Sequence, residues 1–434
     1  MRSSTLAAGA VAFALLLCSA PFGVAAPGAP VTAIAAGSDH TCALVAGGSV
    51  ECWGANGDGQ LGDGTLRGPQ SCEGSPCATA PVAVRGLSAA IAIAAGGGQS
   101  CAVLTGGTVD CWGAGAGATP VAVKGVSSAI SVSVGTDHAC ALLGSGGVEC
   151  WGADGDGQLG GSGSSGAVAV AGVRGAIAVA TGAEHSCALI SGGSVQCWGA
   201  NGYGQLGTGT SSGPQSCGGE ACSRVAVNVA GVSGAVAIAA GNDHTCVLLA
   251  GGTVDCWGYN FAAELGIGTS SGPTVCSGGG WCSPRAVGVE GLSGASAIAA
   301  GGDHTCAIVA AALVCWGYNS YGQLGDGQSG GPQTCYWQLV RCAKAPVATD
   351  SLARVAAVAA GGDHTCALLA GGAVRCWGAD WFGDLGDGAA APQACNGYPC
   401  STRPVAVSIR TRTRAHTHAR AASAQTRRRG SSAR

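Results

Sequence analysis

Apolar residues fall along this chain in short runs broken by glycine, not at helical spacing. The first run, Val31-Thr32-Ala33-Ile34-Ala35, leads through Gly37-Ser38-Asp39 into His40-Thr41-Cys42-Ala43-Leu44-Val45. A turn at Ala46-Gly47-Gly48 follows, then Ser49-Val50-Glu51-Cys52-Trp53-Gly54. Two β-prone runs around a glycine turn predict a hairpin. A three-residue loop sets Val45 against Ser49, Leu44 against Val50, Ala43 against Glu51 and Cys42 against Cys52. Opposed residues of an antiparallel pair have Cα atoms about 4.5–5.5 Å apart, within reach of a disulfide. The paired cysteines and the Trp-Gly recur seven times, with Trp at 53, 112, 151, 198, 257, 316 and 377.

The sixth copy tests the register. It runs from Cys306 to Cys315, one residue shorter than the others. A two-residue loop at Ala310-Ala311 puts the two cysteines opposite each other again. A cross-strand disulfide is the expectation. The rival is metal ligation by His40, Cys42 and Cys52. A tetrahedral zinc site wants four ligands, each unit offers at most three, and the second copy has Gln99 where the others have His.

Each unit adds two more β-prone runs. One is the Ala-rich run before the hairpin, and the other is Pro81-Val82-Ala83-Val84 or its equivalent. Four short strands repeated seven times predict an all-β, seven-bladed β-propeller of four-stranded antiparallel blades. Pro404-Val405-Ala406-Val407 reads as the start of a unit whose sequel, Val31 to Trp53, stands at the other end. The expected ring therefore closes by pairing N- and C-terminal strands in one blade. Cysteine-to-cysteine steps between units are 59, 39, 47, 59, 60 and 60 residues. The second and third units lack an insert that the others carry. The second, running Trp112-Gly113-Ala114-Gly115-Ala116-Gly117-Ala118, also lacks the Gly-Gln-Leu-Gly turn seen at Gly59-Gln60-Leu61-Gly62.

Composition agrees with many tight turns: 80 glycines in 434 residues, 47% hydrophobic and only 10% charged. Of 25 cysteines, Cys18 lies in the N-terminal apolar stretch. The other 24 have local partners. Seven hairpin pairs are Cys42 with Cys52, Cys101 with Cys111, Cys140 with Cys150, Cys187 with Cys197, Cys246 with Cys256, Cys306 with Cys315 and Cys366 with Cys376. Five insert pairs are Cys72 with Cys77, Cys217 with Cys222, Cys276 with Cys282, Cys335 with Cys342 and Cys395 with Cys400. Such pairing points to an oxidising compartment. Residues 1–26, apolar from Leu6 to Leu17 and ending in small residues, read as a secretory signal peptide. The expected location is secreted, periplasmic or cell-surface, with no membrane span. The propeller covers 27–409, where 23 Asp/Glu meet 11 Lys/Arg, so it is acidic by 12. Residues 410–434 carry eight Arg and no acid and read as a disordered basic tail. The tail could meet an anionic surface or nucleic acid, or stay solvated; for the chain as a whole no nucleic-acid partner is expected, and it is expected to be a monomer.

These residues resemble the regulator-of-chromosome-condensation (RCC1) repeat. The matching pattern is Gly-x-x-His-Thr/Ser-x-Ala-Leu, then Gly-x-Val-x-x-Trp-Gly, then Asn-x-x-Gly-Gln-Leu-Gly. It spans roughly residues 30–409. The departures are the hairpin cysteines, Gln99 for His, and Glu264 and Asp384 for the turn Gln. The resemblance implies a seven-bladed propeller whose termini share a blade. Nuclear members exchange nucleotide on a small GTPase and touch chromatin; a signal peptide and about twelve disulfides argue against that activity here. Secreted bacterial members that bind proteins with one face are the nearer analogy.

Chemistry is thinly supported. Recurrent histidines suit scaffolding better than proton transfer, and the recurrent Trp suits core packing. Asp154-Gly155-Asp156-Gly157 resembles a calcium loop but lacks the bidentate Glu at position twelve. No Gly-Lys-Ser/Thr phosphate loop occurs. No enzyme activity, cofactor or metal is expected. The uneven feature is aromatic. Outside the motif Trp, aromatic residues of the propeller avoid the first three units and cluster late: Tyr203, Tyr259, Phe261, Trp281, Tyr318, Tyr321, Tyr336, Trp337, Trp381, Phe382 and Tyr398. They suit a contact surface, or they cover the larger loops and pack on their disulfides. As a contact surface they fit a non-enzymatic scaffold for an extracellular or cell-envelope protein, anchored by Trp281, Tyr336, Trp337 and Arg341. The alternative ligand is a glycan.

Overall fold

The computed structural model describes residues 29–161, 166–335, 339–389, 391 and 393–409. The expected signal peptide, the basic tail, Tyr336 and Trp337 lie outside them. Blade 1 consists of β1 (Val31–Ala36), β2 (His40–Val45), β3 (Ser49–Ala55), β4 (Gln70–Cys72) and β5 (Ser75–Ala83), ordered β1-β2-β3-β5-β4. Six further sheets repeat the plan, over residues 90–122, 129–169, 176–228, 235–288, 295–348 and 355–406. Blades 2 and 3 have four strands. The other five have a fifth, because the insert folds back as a small hairpin on the outermost strand.

The hairpin register follows from its turn. Val45 faces Ser49, Leu44 faces Val50, Ala43 faces Glu51 and Cys42 faces Cys52. All seven hairpin disulfides form: Cys42 with Cys52, Cys101 with Cys111, Cys140 with Cys150, Cys187 with Cys197, Cys246 with Cys256, Cys306 with Cys315 and Cys366 with Cys376. Their Cα atoms are 4.0–4.1 Å apart. The five insert disulfides form too: Cys72 with Cys77, Cys217 with Cys222, Cys276 with Cys282, Cys335 with Cys342 and Cys395 with Cys400. In the shortened sixth hairpin Val309 faces Ala312, and Ala310 and Ala311 both take positive φ, 49° and 60°. That is the backbone of a two-residue I′ turn.

Apart from Cys72, which is half-buried, and Cys111, which lines a cleft between blades 2 and 3, these cysteines are interior cross-links. Cys52, Cys150, Cys197, Cys256, Cys315 and Cys376 on the Trp strands are completely buried, because each points with its partner into the core between two blades. Cys77, Cys222, Cys282, Cys342 and Cys400 are completely buried as well. Strand register sets each of those five opposite the residue two beyond the motif Trp, as in Ala55↔Cys77, Ala200↔Cys222, Tyr259↔Cys282, Tyr318↔Cys342 and Ala379↔Cys400. There they lie between the Trp strand and the folded-back insert. Metal ligation by His40, Cys42 and Cys52 is not the arrangement found, since both sulfurs are spent on one disulfide.

The ring closes where the two chain ends meet. Hydrogen-bonded register keeps Pro404 to Ala406 in blade 7, through Arg375↔Ala406 and Cys376↔Val405. Each sheet is thus a continuous stretch of chain, and the run after the insert is the outer strand of its own blade. Returning antiparallel beside the Trp strand closes a shorter loop than crossing to the next blade. The two ends pair as facing blades. Val31, Ala43 and Trp53 pack with Cys366, Leu368, Val374 and Leu385.

Blades are joined by one repeated contact. The indole Nε1 of every motif Trp except Trp151 donates to the backbone carbonyl of the turn Gln, or its substitute, in the preceding blade. The bonds are Trp112 to Gln60, Trp198 to Gln158, Trp257 to Gln205, Trp316 to Glu264, Trp377 to Gln323 and, across the closure, Trp53 to Asp384, all 2.8–2.9 Å. The turn leucine packs on the same ring; Leu61 sits with Trp112, Cys42 and Cys52 in one buried cluster between blades 1 and 2. Glycine is required on both sides of this joint. At Gly54, φ is +105°, and a Cβ would meet the Asp39 carbonyl at 2.5 Å. At Gly62, a Cβ would meet the Trp112 indole at 2.9 Å.

The Ala310-Ala311 turn yields a stability prediction. A left-handed conformation costs an L-residue roughly 1–2 kcal/mol, and Asn-Gly is the favoured I′ pair. Ala310→Asn with Ala311→Gly should raise the denaturant midpoint by an amount corresponding to about 1 kcal/mol. An unchanged or lowered midpoint would refute the turn assignment.

Candidate functional site

The turn that joins the blades also builds the loop surface. In Asn-Gly-x-Gly-Gln-Leu-Gly the Asn side chain accepts from the Leu amide, as in Leu61 to Asn56 Oδ1, 3.1 Å. The Gln side chain accepts from the amide of the variable residue, as in Tyr203 to Gln205 Oε1, 2.9 Å, and Tyr321 to Gln323 Oε1, 3.0 Å. The frame is closed on itself, so the variable residue stands on a braced loop. In blades 4 and 6 that residue is tyrosine; in blades 1 and 3 it is Asp58 and Asp156.

The structure gathers the late aromatic residues into two clusters. In blades 4 and 5, Tyr203 lies 4.5 Å from Tyr259, which stacks 5.7 Å from Phe261 at 10°. In blades 6 and 7, Tyr321 contacts Tyr318, Trp381 and Tyr398 edge-on at 5.9, 4.9 and 6.4 Å, and Trp381 lies 5.8 Å from Tyr398. Trp281 and Tyr398, at the insert hairpins, are 40% and 53% exposed. Phe382 is half-buried and donates its amide to Asp384. Arg341 is exposed; its carbonyl accepts from Asn319 at 2.8 Å.

Near the rings lies an acidic layer. It is the residue before each His: Asp39, Asp137, Glu184, Asp243, Asp303 and Asp363, with Gly98 in blade 2. Burial, with repulsion from Asp303 and Glu184, pushes Asp243 up to about 7. Burial, with repulsion from Asp303 and Asp39, pushes Asp363 up to about 7. In blades 4 and 6 the turn Gln meets the acid: Gln205 donates to Asp243 at 3.2 Å and Gln323 to Asp363 at 2.9 Å. Where the turn holds an acid, carboxyl confronts carboxyl. Burial first, then Asp303, holds Glu264 well above the usual range; burial first, then Asp39, does the same for Asp384. Each keeps one buried oxygen without a partner, Glu264 Oε1 and Asp384 Oδ1.

The histidines are structural. His40 Nε2 lies 2.7 Å from Ser100 Oγ, and the same bond joins His138 to Ser186, His185 to Thr245, His244 to Thr305, His304 to Thr365 and His364 to Thr41. Ser100 donates its only hydroxyl proton to the Gln60 carbonyl, so His40 Nε2–H is the donor to Ser100. Burial drives His40, His185 and His304 down to about 3 and His138, His244 and His364 to about 4. They are neutral, buried and bonded across blades.

Repeated four-stranded sheets, joined through a shared turn and bearing variable loops on a braced frame, define a repeat β-propeller. The description Regulator of chromosome condensation (RCC1) repeat matches residues 31–60, 129–158, 176–205, 235–262 and 355–383 in one form and 47–103, 192–248 and 313–368 in another, together more than half of the chain. The chain belongs to the RCC1-repeat family. It is 32% identical over 151 residues to the probable E3 ubiquitin-protein ligase HERC3 of Homo sapiens, covering 34% of this chain and 13% of that protein. It is 33% identical over 152 residues to the mitochondrial RCC1 domain-containing protein RUG3 of Arabidopsis thaliana, covering 35% and 32%. The chain thus spans under a third of the length of these relatives. Similar folds are Prp20p of Saccharomyces cerevisiae, 23% identical with TM-score 0.62 over 76% of this chain and 80% of that one, and human WBSCR16, 19% identical with TM-score 0.65 over 83% and 95%.

The buried groups set a pH profile. Carboxyls raised in the fold stabilise it fully below their unfolded pKa of 3.8 or 4.5, and this is lost as pH rises towards about 7 and beyond. Histidines lowered in the fold contribute fully above 6.5, and this is lost as pH falls towards 3 to 4. Stability should peak at weakly acidic pH. Glu264→Gln with Asp384→Asn should raise Tm at pH 8 by several degrees and at pH 5 by much less. An equal shift at both pH values would contradict the paired-acid assignment.

Proposed function

We propose that this chain is a secreted, monomeric, non-enzymatic binding scaffold that holds a protein partner on the aromatic loops of blades 4 to 7. The observation that carries the reading is the contact of rings across blade boundaries, Tyr203 with Tyr259 and Tyr321 with Trp381 and Tyr398. Rings on a braced frame supply large contact area at low entropic cost. The acidic layer lies near them: Asp243 and Glu184 act on Tyr203, as does Glu220 of the insert hairpin, and Asp363 acts on Tyr321. An aromatic surface suits a basic partner, whose Lys or Arg gains from the ring faces and from exposed Glu220 beside Tyr203. The yeast relative Prp20p has been studied for its binding to Gsp1p and histones, so protein binding on this fold has precedent. Twelve disulfides and the apolar N-terminal stretch support an extracellular or envelope setting over guanine-nucleotide exchange.

The stacked pair Tyr259 and Phe261 favours the second reading, a glycan. The test is capture of extracellular proteins by the immobilised secreted chain, run beside a glycan array. Tyr321→Ala with Trp381→Ala should weaken capture of a protein ligand by about tenfold or more, with an unchanged circular dichroism spectrum. An array signal that the same substitutions abolish would replace the protein with a glycan. Ligand capture unaffected by the substitutions would remove this surface from the account.

A further inference from the structure

Blades 2 and 3 meet differently from every other pair. The acceptor turn is absent from blade 2, which runs directly from Gly113 through Ala114, Gly115 and Ala116 into its outer strand, Gly117–Ala122. Trp151 of blade 3 therefore has no turn carbonyl for its Nε1 and no turn leucine against its ring. The buried cluster at this junction contains Trp151, Val126 and Val132 but no counterpart of Leu61. Two further contacts are missing at the same place. Gln99 stands where His40 stands in blade 1, and bonds its own blade at Ala114 O, 3.0 Å. Ala139 stands where the partner hydroxyl, such as Ser100, would be.

The result is a cleft of about 440 Å³, a volume typical of binding sites. Trp151, Gln99, Val121, Val123, Asp154 and Leu159 line it. Trp151 is 9% exposed, whereas the other six motif Trp are fully buried. Gly152 is exposed where the glycine after every other motif Trp is buried. Val121 is 53% exposed, and Val123 is only half-buried where Val84, Val170, Val229 and Val289 are buried. The Trp151 N–H has no acceptor among the described residues and, unlike Trp381 Nε1, is not sealed from solvent, so it is free to donate to whatever enters the cleft.

The six filled junctions show what fits. Each holds a peptide carbonyl on the indole N–H, followed at once by an aliphatic side chain, leucine, packed on the ring. We propose that the cleft between blades 2 and 3 is a socket that accepts a tight loop of a partner protein presenting a backbone carbonyl and a leucine-sized side chain in succession. The carbonyl accepts from Trp151 Nε1, and the leucine lies over the Trp151 ring against Val123. The site uses none of the aromatic residues of blades 4 to 7, so it stands or falls separately from the loop surface there.

The probe is a cyclised peptide with the sequence of residues 201–208, Asn-Gly-Tyr-Gly-Gln-Leu-Gly-Thr, added to the ¹⁵N-labelled full chain. The indole N–H signal of Trp151 is identified by its loss in Trp151→Phe. The peptide should shift that signal saturably and leave the other motif indoles in place. Replacing its Leu by Ala should weaken binding by about tenfold or more. Trp151→Phe, which keeps an aromatic ring and removes the donor, should also weaken binding as read by calorimetry. A chain in which residues 114–117 are exchanged for Asn-Gly-Asp-Gly-Gln-Leu-Gly should fill its own cleft and lose the peptide. No shift at Trp151, equal binding of the Leu-to-Ala peptide, or undiminished binding to the filled chain would each overturn the proposal.

Discussion

The donation of an indole N–H to a turn carbonyl in the neighbouring blade is the interaction on which this ring depends. It satisfies two buried polar groups at once, and the cost of leaving either unpaired in so dry an interface is steep. It also fixes the turn. That turn then places a leucine on the indole and braces the loop above it. Packing, register and surface display follow from one contact repeated at six of the seven blade junctions. The disulfides act on a different link. They hold each hairpin together within its own blade, and a ring with so few charges and so many glycines gains from cross-links that restrict the unfolded chain.

Buried polarity is managed by neutrality. The histidines stay uncharged and spend a ring nitrogen on a hydroxyl of the next blade. The carboxyls behind the loops are pushed towards their protonated forms, most strongly where Glu264 and Asp384 replace the turn glutamine. Four turns use an amide, Gln60, Gln158, Gln205 and Gln323; in two of them it donates to the facing acid. The two acidic turns keep the backbone carbonyl bond to Trp316 and Trp53 and the side-chain bond from the loop amide, and give up only the donation to the facing acid. The joint survives because an acid can still accept from the loop amide and its backbone carbonyl is unchanged.

Much of this was legible in the residue pattern because local geometry governs it. A glycine turn and two opposed cysteines determine the hairpin register residue by residue, and the shortened copy requires a two-residue loop at Ala310-Ala311. The pairing of Cys77, Cys222, Cys282, Cys342 and Cys400 was equally legible from spacing; their complete burial beside the Trp strand was not, since it depends on the insert folding back. The blade boundary was less legible. Pro404-Val405-Ala406-Val407 reads equally well as the first strand of one unit or the last of another, and only hydrogen bonding to the Trp strand decides. The junction between blades 2 and 3 shows the limit best. Gln99 and the lost turn are visible as departures, yet nothing in their spacing says that they face Trp151 and Ala139 across one interface. Likewise the acid before each His reads as scaffold until Asp303 is seen near Glu264 and Asp39 near Asp384. The aromatic bias towards late units was visible early; its division into two contacting clusters required the ring.

If the indole–carbonyl joint governs cohesion between blades, the junction that lacks it must open first. Native-state hydrogen exchange, read peptide by peptide on the intact disulfide-bonded chain, measures this directly. Peptides from 90–122 and 129–143 should exchange by opening at lower free energy than equivalent strands of blades 4 to 7. Uniform protection around the ring, or earliest opening at the closure between blades 7 and 1, would contradict the account.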